Sequence, residues 1–374
     1  MTPWFWLLAI LGGLAVLAEA AFRIALRVRG VEFTPPKTLK DLYIVPHPYL
    51  PYVYKPHAVM GNVQASPYPL HKGRFEIRAV RTNNIRFFYE DVEPRKQPGT
   101  VRVMCLGAST TANSIWAVGD PKEYAYPLCL REALARSLGA GRCEVLNCGM
   151  GGWTSAEILV NFALNLIDLR PDVVIFYHGL NDLEASLTAP FAPDYAHSRK
   201  NFGEAYARIR LASYLPNLRA WKSYAYLKGR FLGFGNVRWD LLSSVRAKPA
   251  DLDNPFMGLE TERRNIEHLI HLCRANGIDV ILSTFAYHVY HQVRDDRRIL
   301  KYQEGVRMEN DMLRGLAGCH SLPLVDIAAL IPDDDAYFVD TVHFTPAGMQ
   351  FLADRFASRL AEVVSERSGS HARI

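Results

Sequence analysis

The chain has 374 residues, of which 49% are hydrophobic, and its 43 Lys or Arg against 38 Asp or Glu leave a formal charge of +5. It is apolar enough to fill a core and longer than one compact α/β sandwich needs, which suggests a single catalytic domain with additions. The mildly basic balance, with no stacking platform and no zinc-finger spacing, argues against nucleic-acid binding.

The first element is apolar. Trp4 to Ala18 carries no charge, and the apolar character continues past Glu19 to Phe22. That is nearly long enough to span a bilayer, and Trp4 and Trp6 at one end fit an interfacial belt. Ala18-Glu19-Ala20 resembles a cleavage site, but the basic n-region of a signal peptide is missing. Residues 1–30 therefore read as an uncleaved, single-pass transmembrane anchor; a buried amphipathic helix is the alternative. Arg23, Arg27, Arg29, Lys37 and Lys40 follow the segment and no Lys or Arg precedes it, so positive-inside counting places the rest of the chain in the cytoplasm.

Thr34 to Pro69 contains eight prolines, among them Pro35, Pro46, Pro56 and Pro69, and reads as an extended linker lying on the surface. Phe75 to Tyr89 alternates as strands do, with Asn83-Asn84 as a turn. Residues 31–100 are thus expected to be a linker and a small β addition.

From Val101 the pattern becomes regular. Strands are expected at Val101–Leu106, Cys143–Asn147, Val173–Tyr177, Val280–Ser283 and Leu322–Val325. Helices are expected near Lys122–Leu138, Thr154–Leu169, Glu260–Ala275, Gln303–Leu316 and Pro346–Val364. This alternation predicts a three-layer α/β sandwich with a five-stranded parallel sheet over residues 101–366. An insertion at 186–255 interrupts it, holding eleven Lys or Arg against five Asp or Glu among aromatics such as Trp221, Tyr226 and Phe231. It reads as a helical extension with solvated charges, or as a lid or docking surface for a lipid interface or anionic glycan. The cysteines, Cys105, Cys129, Cys143, Cys148, Cys273 and Cys319, are scattered and read as buried thiols, with Cys143 and Cys148 the one near pair.

Four polar motifs fall just after strands: Gly107-Ala108-Ser109-Thr110, Asn147 to Gly152, Gly179-Leu180-Asn181-Asp182 and Asp340-Thr341-Val342-His343. A serine hydroxyl needs a base within reach and a third group to orient that base, and Ser109, His343 and Asp340 are of the right types. The N–H groups of Ser109 and Gly152 and the amide of Asn181 are suitable oxyanion donors. Each motif also has a plainer reading, with Gly149 to Gly152 a tight connection, Thr154 or Ser155 a helix cap, and Asp182 another cap.

This order of motifs resembles the SGNH hydrolases, also called GDSL-type esterases and lipases, over roughly Val101 to Arg359. The resemblance implies an SGNH, flavodoxin-like fold with Ser109 as nucleophile, His343 and Asp340 as its catalytic partners, and Ser109, Gly152 and Asn181 as the oxyanion hole. One departure is Ala108, where the family name spells Asp. The implied activity is hydrolysis of O-acyl esters of a glycan or lipid through an acyl-serine. Membrane-anchored members of that family commonly work on the cell envelope, which implies a catalytic domain on the outer side. An O-acyltransferase working with a membrane acyl-transfer partner needs the same residues, and a non-catalytic glycan-binding or envelope-assembly protein uses the same fold. No metal or cofactor is implied.

Overall fold

The computed structural model describes residues 3–30, 43–60, 80–112, 125–139, 141–198, 210–211, 214, 221–232 and 250–371. The chain divides into two compact units. One comprises Met1–Pro46 with Lys200–Val245, the other His47–Arg199 with Arg246–Ile374.

In the first unit, α1 (Pro3–Val28) is long and apolar enough to cross a membrane, with a mean hydropathy of 2.1 over its best window, of which 6% is buried. Its one buried residue is Glu19, whose carboxylate accepts from the N–H groups of Lys222 and Ser223 at 2.7 and 2.8 Å, and from the Ser223 hydroxyl. These are the first residues of a second helix, Lys222–Leu232, so a charge inside an apolar stretch is explained as a cap for exposed helical N–H groups. Lys228 of that helix is buried, not solvated as its sequence context suggested. Most of the insertion's remaining basic residues lie outside the described residues.

The second unit is built on a parallel five-stranded sheet with the order β2-β1-β3-β4-β5, where β1 is Val101–Gly107, β2 Cys143–Gly149, β3 Val173–Tyr177, β4 Asp279–Ser283 and β5 Leu324–Val325. Central β3 is buried at every residue, as a strand covered on both faces must be. In the adjoining β1 the register places Val103 between Val145 of β2 and Val173 of β3. On one face α3 (Tyr126–Leu138) and the last helix, α8 (Pro346–His371), enclose Val103, Cys105, Ile175 and Tyr177 together with Leu130, Leu134, Phe356 and Leu360. Side chains alternate across a strand, so Met104, Leu106, Val174 and Phe176 face the other way. Helices α4 (Ser155–Asn161), α6 (Leu259–Ala275) and α7 (Arg297–Cys319) lie in the connections between the successive parallel strands from β2 to β5.

The expected elements are present, with informative differences at their ends. Past Asn161, α4 passes into a π-turn over Phe162–Leu166 and a 3₁₀ turn over Ile167–Leu169, ending at left-handed Arg170 before Pro171. Helix α7 begins at Arg297, earlier than its apolar period indicates, because Asp296 caps it by accepting from the Arg298 and Ile299 N–H groups. The proline-rich segment is not a surface linker at Tyr52 and Tyr54, which are 2% and 3% exposed. An antiparallel pair joins Val59–Met60 to Val80–Arg81, residues 75–79 of the expected strands lie outside the described residues, and Asn83 closes the following turn by accepting from Phe87 N–H.

At the amino end of the sheet, fully buried Arg102 donates to Glu144 and to the carbonyls of Glu93, Pro94 and Leu169, while Lys96 pairs with Asp172. Cys105, Cys129, Cys148 and Cys273 are buried, whereas Cys143 is half-buried and Cys319 is exposed rather than buried. Cys143 and Cys148 lie on the same strand, about 16 Å apart at strand spacing, too far for a disulfide.

Candidate active site

At the opposite, carboxyl end of the sheet the chain packs unusually closely. Strand β1 ends at Gly107, and a single helical turn, α2 (Ser109–Ala112), folds back over the strand ends. A Cβ on Gly107 would stand 2.1 Å from Thr111 Oγ1 and 2.2 Å from the Tyr177 carbonyl, and one on Gly149 would stand 2.2 Å from the Ala112 nitrogen. Glycine at these two neighbouring positions therefore lets α2 settle on the sheet. Thr111 anchors it by donating to the Tyr177 carbonyl at 3.1 Å.

After β2 the loop is pinned from several sides. Met150 N–H donates to the Gly107 carbonyl at 3.2 Å, and Gly152 adopts φ 78°, a conformation that favours glycine. Tyr52 Oη donates to the Gly151 carbonyl at 2.6 Å, Gly151 N–H donates to Tyr54 Oη at 3.4 Å, and Trp153 Nε1 donates to the Tyr52 carbonyl at 3.3 Å. None of these aromatics was singled out for the site from the sequence, because the segment's prolines concealed a role that only long-range contact reveals.

After β3, Leu180 holds φ 65°, rare for a side chain of its kind, and turns the chain into α5 (Asn181–Ser186). Asn181 Nδ2 donates to the Trp153 carbonyl at 2.8 Å, joining the third motif to the second. The plainer readings hold beside this one. Asp182 accepts from Ser155 N–H and Oγ at the start of α4, and Glu157 accepts from the N–H and hydroxyl of Thr154.

The last motif sits on a tight loop closed by an antiparallel bridge between Phe338 and Phe344, with Val339 N–H donating to the His343 carbonyl. One oxygen of Asp340 accepts from the N–H groups of Val342 and His343, both at 2.8 Å, while the other lies 2.7 Å from His343 Nδ1. His343 Nε2 lies 3.0 Å from Ser109 Oγ. Asp340 is 4% exposed, and burial opposes its charge. The adjacent His343 ring and the two backbone donors outweigh burial and hold its carboxyl below the ordinary carboxylate value. That bonding assigns the Nδ1–H tautomer, which leaves Nε2 free to accept from the serine.

His288, also overlooked in the sequence, steadies this loop. Its ring nitrogens lie 2.8 Å from Asp333 and 2.8 Å from Asp335, its ring stacks on Phe338, and its N–H donates to the Thr341 carbonyl. Nothing in its sequence surroundings marks it, since its partners come from more than forty residues downstream.

The family model described as GDSL-like lipase/acylhydrolase matches residues 105–351, more than half of the chain. The chain belongs to that family. As a GDSL-like acylhydrolase it is an ester-hydrolysing enzyme. Ala108, the departure from the family name, is buried beside the serine at 2% exposure. Solved structures similar to this chain include the acetyl xylan esterase AlAXEase, at 15% identity and a TM-score of 0.42, covering 69% of this chain and 98% of that one. The lipase/acylhydrolase from Enterococcus faecalis matches at 18% identity and a TM-score of 0.41, covering 70% and 95%. A catalytic mutant of Axe2, an acetylxylan esterase from Geobacillus stearothermophilus, matches at 15% identity and a TM-score of 0.42, covering 71% and 95%. No curated protein matches the chain.

Proposed function

We propose that this GDSL-like acylhydrolase is a membrane-anchored serine esterase that cleaves O-acyl esters of a glycan or lipid through an acyl-Ser109 intermediate. The observation that carries this reading is the unbroken relay from Asp340 through His343 to Ser109, with links of 2.7 and 3.0 Å. In the first half-reaction Ser109 Oγ bonds to the ester carbonyl carbon while His343 Nε2 takes the hydroxyl proton. The resulting oxyanion is held by the N–H groups of Ser109 and Gly152 and the Asn181 amide, each worth about 3 kcal/mol. Collapse breaks the ester bond, and His343 returns the proton to the departing alcohol. Water, deprotonated by His343, then releases the acid and restores Ser109.

The exposed apolar helix α1 supports the anchor, which would keep the enzyme beside acylated lipids and envelope glycans. The catalytic unit stands on the outer side in this reading. Exposed Cys319 provides the check: a membrane-impermeant maleimide labels it in intact cells, whereas labelling only after lysis reverses the orientation.

Fluorophosphonate labelling of wild type and Ser109→Ala, with the modified peptide read by mass spectrometry, tests the chemistry. Labelling confined to Ser109 is expected, and absence of labelling in a folded sample overturns the reading. Acyl-ester turnover with and without a sugar acceptor then separates release to water from transfer to a hydroxyl.

A further inference from the structure

Beside the Gly152 loop, on side chains that the serine relay does not use, lies a cavity of about 220 Å³. Met150 and Trp153, which flank Gly152, form one wall together with Asn161 at the end of α4 and Asn165 in the π-turn that follows. The other wall is His47 with the turn Asn84–Phe87. The family match begins at residue 105, so this second wall is the chain's own addition to the acylhydrolase fold.

The polar groups of both walls are positioned but not spent. Asn161 is 6% exposed, and its Oδ1 accepts from Asn165 Nδ2 at 2.8 Å. Its own Nδ2 and the Asn165 Oδ1 have no partner among the described residues. A buried amide with an idle donor is costly unless an occupant of the cavity accepts from it. Both amides border a π-turn, a helical distortion frequent at functional sites. Opposite them, Arg86 holds φ 70°, rare for a side chain of its kind, and its N–H donates to the Asn83 carbonyl at 3.2 Å. Its guanidinium is half-buried and pairs with no carboxylate among the described residues, none of which lines the cavity with an Asp or Glu. His47 Nδ1 accepts from Tyr49 N–H at 3.3 Å, which leaves the ring proton on Nε2. Burial and the Arg86 charge hold this ring below the ordinary imidazole value, so it is a neutral donor rather than a second cation.

We propose that this cavity binds one carboxylate-bearing sugar residue of the glycan whose ester the enzyme cleaves, with Arg86 on the carboxylate and Asn161, Asn165 and His47 on the ring hydroxyls. A guanidinium with no internal counter-ion matches a planar carboxylate through two parallel hydrogen bonds. An idle amide donor next to an idle amide acceptor suits neighbouring hydroxyls, each of which both donates and accepts. Val53, Phe87 and Leu166 supply apolar lining for the C–H faces of the ring. A lipid chain in the same space would leave the amides and the guanidinium desolvated and unpaired. Naming the occupant as part of the substrate rests on the esterase function, whereas binding itself does not.

The test uses the full-length chain in detergent as Ser109→Ala, so that no turnover intervenes, with glucuronate, glucose and acetate titrated separately and binding read by saturation-transfer NMR. Glucuronate is expected to bind, and glucose and acetate to bind about tenfold more weakly, because each offers only part of the contacts. Arg86→Gly suits the left-handed backbone at that position and so keeps the turn. Introduced into Ser109→Ala, it should weaken glucuronate about tenfold, the loss of one charge-assisted contact. Asn165→Ala, at an exposed position, should weaken glucuronate and glucose alike. The comparison of the three ligands needs no further variant, so the proposal stays open to refutation even where a substitution unfolds the chain. No transfer to glucuronate, acetate binding as well as glucuronate, or glucuronate binding unchanged in folded Arg86→Gly each overturns it, the second meaning a simple anion site. Fluorophosphonate labelling of the wild type is read separately, so failure of the sugar site and failure of the serine chemistry are told apart.

Discussion

At Asp340, burial and local bonding pull in opposite directions, and the bonding wins, leaving the carboxyl ionised more readily than in the unfolded chain. The sign for stability follows from linkage. A lowered acid value adds stability that is fully present above the unfolded value, about 4, and is lost as pH falls through the folded one. Asp340→Asn is therefore expected to flatten the fall in unfolding free energy below about pH 4, as followed by urea denaturation. In the same variant kcat for a nitrophenyl ester should drop about 10⁴-fold, because the wrong histidine tautomer is favoured; an unchanged kcat would remove Asp340 from the relay. Asn181 differs, since its amide also holds the Trp153 carbonyl. Asn181→Ala should lower kcat about 10²- to 10³-fold, with a smaller change in KM, because the oxyanion exists only after attack.

At the scale of elements, each motif stands where it does because something outside its own segment holds it there, and the last lies on a loop beyond the end of β5 rather than on a strand end. The single turn α2 is admitted by Gly107 and Gly149, the Gly152 loop is held by Tyr52 and Tyr54, and the His343 loop is held by His288. The strand ends and their order were legible in the sequence, because alternating apolar runs and glycine-rich turns are local signals. The supports were not, since Tyr52 reaches Gly151 across 99 residues and His288 reaches Asp333 across 45. His288→Gln keeps the bulk but cannot bridge both carboxylates. It should cost about 1 kcal/mol of stability, roughly one hydrogen bond, yet reduce kcat while the nucleophile's fluorophosphonate labelling slows. Wild-type kcat in this variant would show that the loop needs no such brace.

For the molecule as a whole, the two ends of the sheet do different work. The amino end is closed by the buried guanidinium of Arg102, which ties Glu144 and three carbonyls together, while the carboxyl end carries the pairing of His343 with Ser109. Arg102→Met should therefore lower stability by about 3 kcal/mol, since carbonyls and a carboxylate lose their donor, and leave the kcat of the folded enzyme unchanged. A thermal melt combined with active-site titration checks both halves of the expectation. In the other unit, Glu19 shows how a charge persists within an apolar helix when it caps a neighbour.

What the sequence by itself determined is whatever rests on local periodicity and spacing: the parallel α/β pattern, the apolar first helix, and the Asp340 and His343 pair, three residues apart on one loop. Tertiary structure alone decided that Ser109 lies 3.0 Å from a histidine 234 residues away, and that a proline-rich stretch builds part of the Gly152 loop. It also decided that Glu262 and Glu309, from two different helices, meet carboxyl to carboxyl in the core. The physical reason is common to all three. Local patterns record which face a residue shows to the core, whereas a site depends on which distant residues share that face once loops have closed.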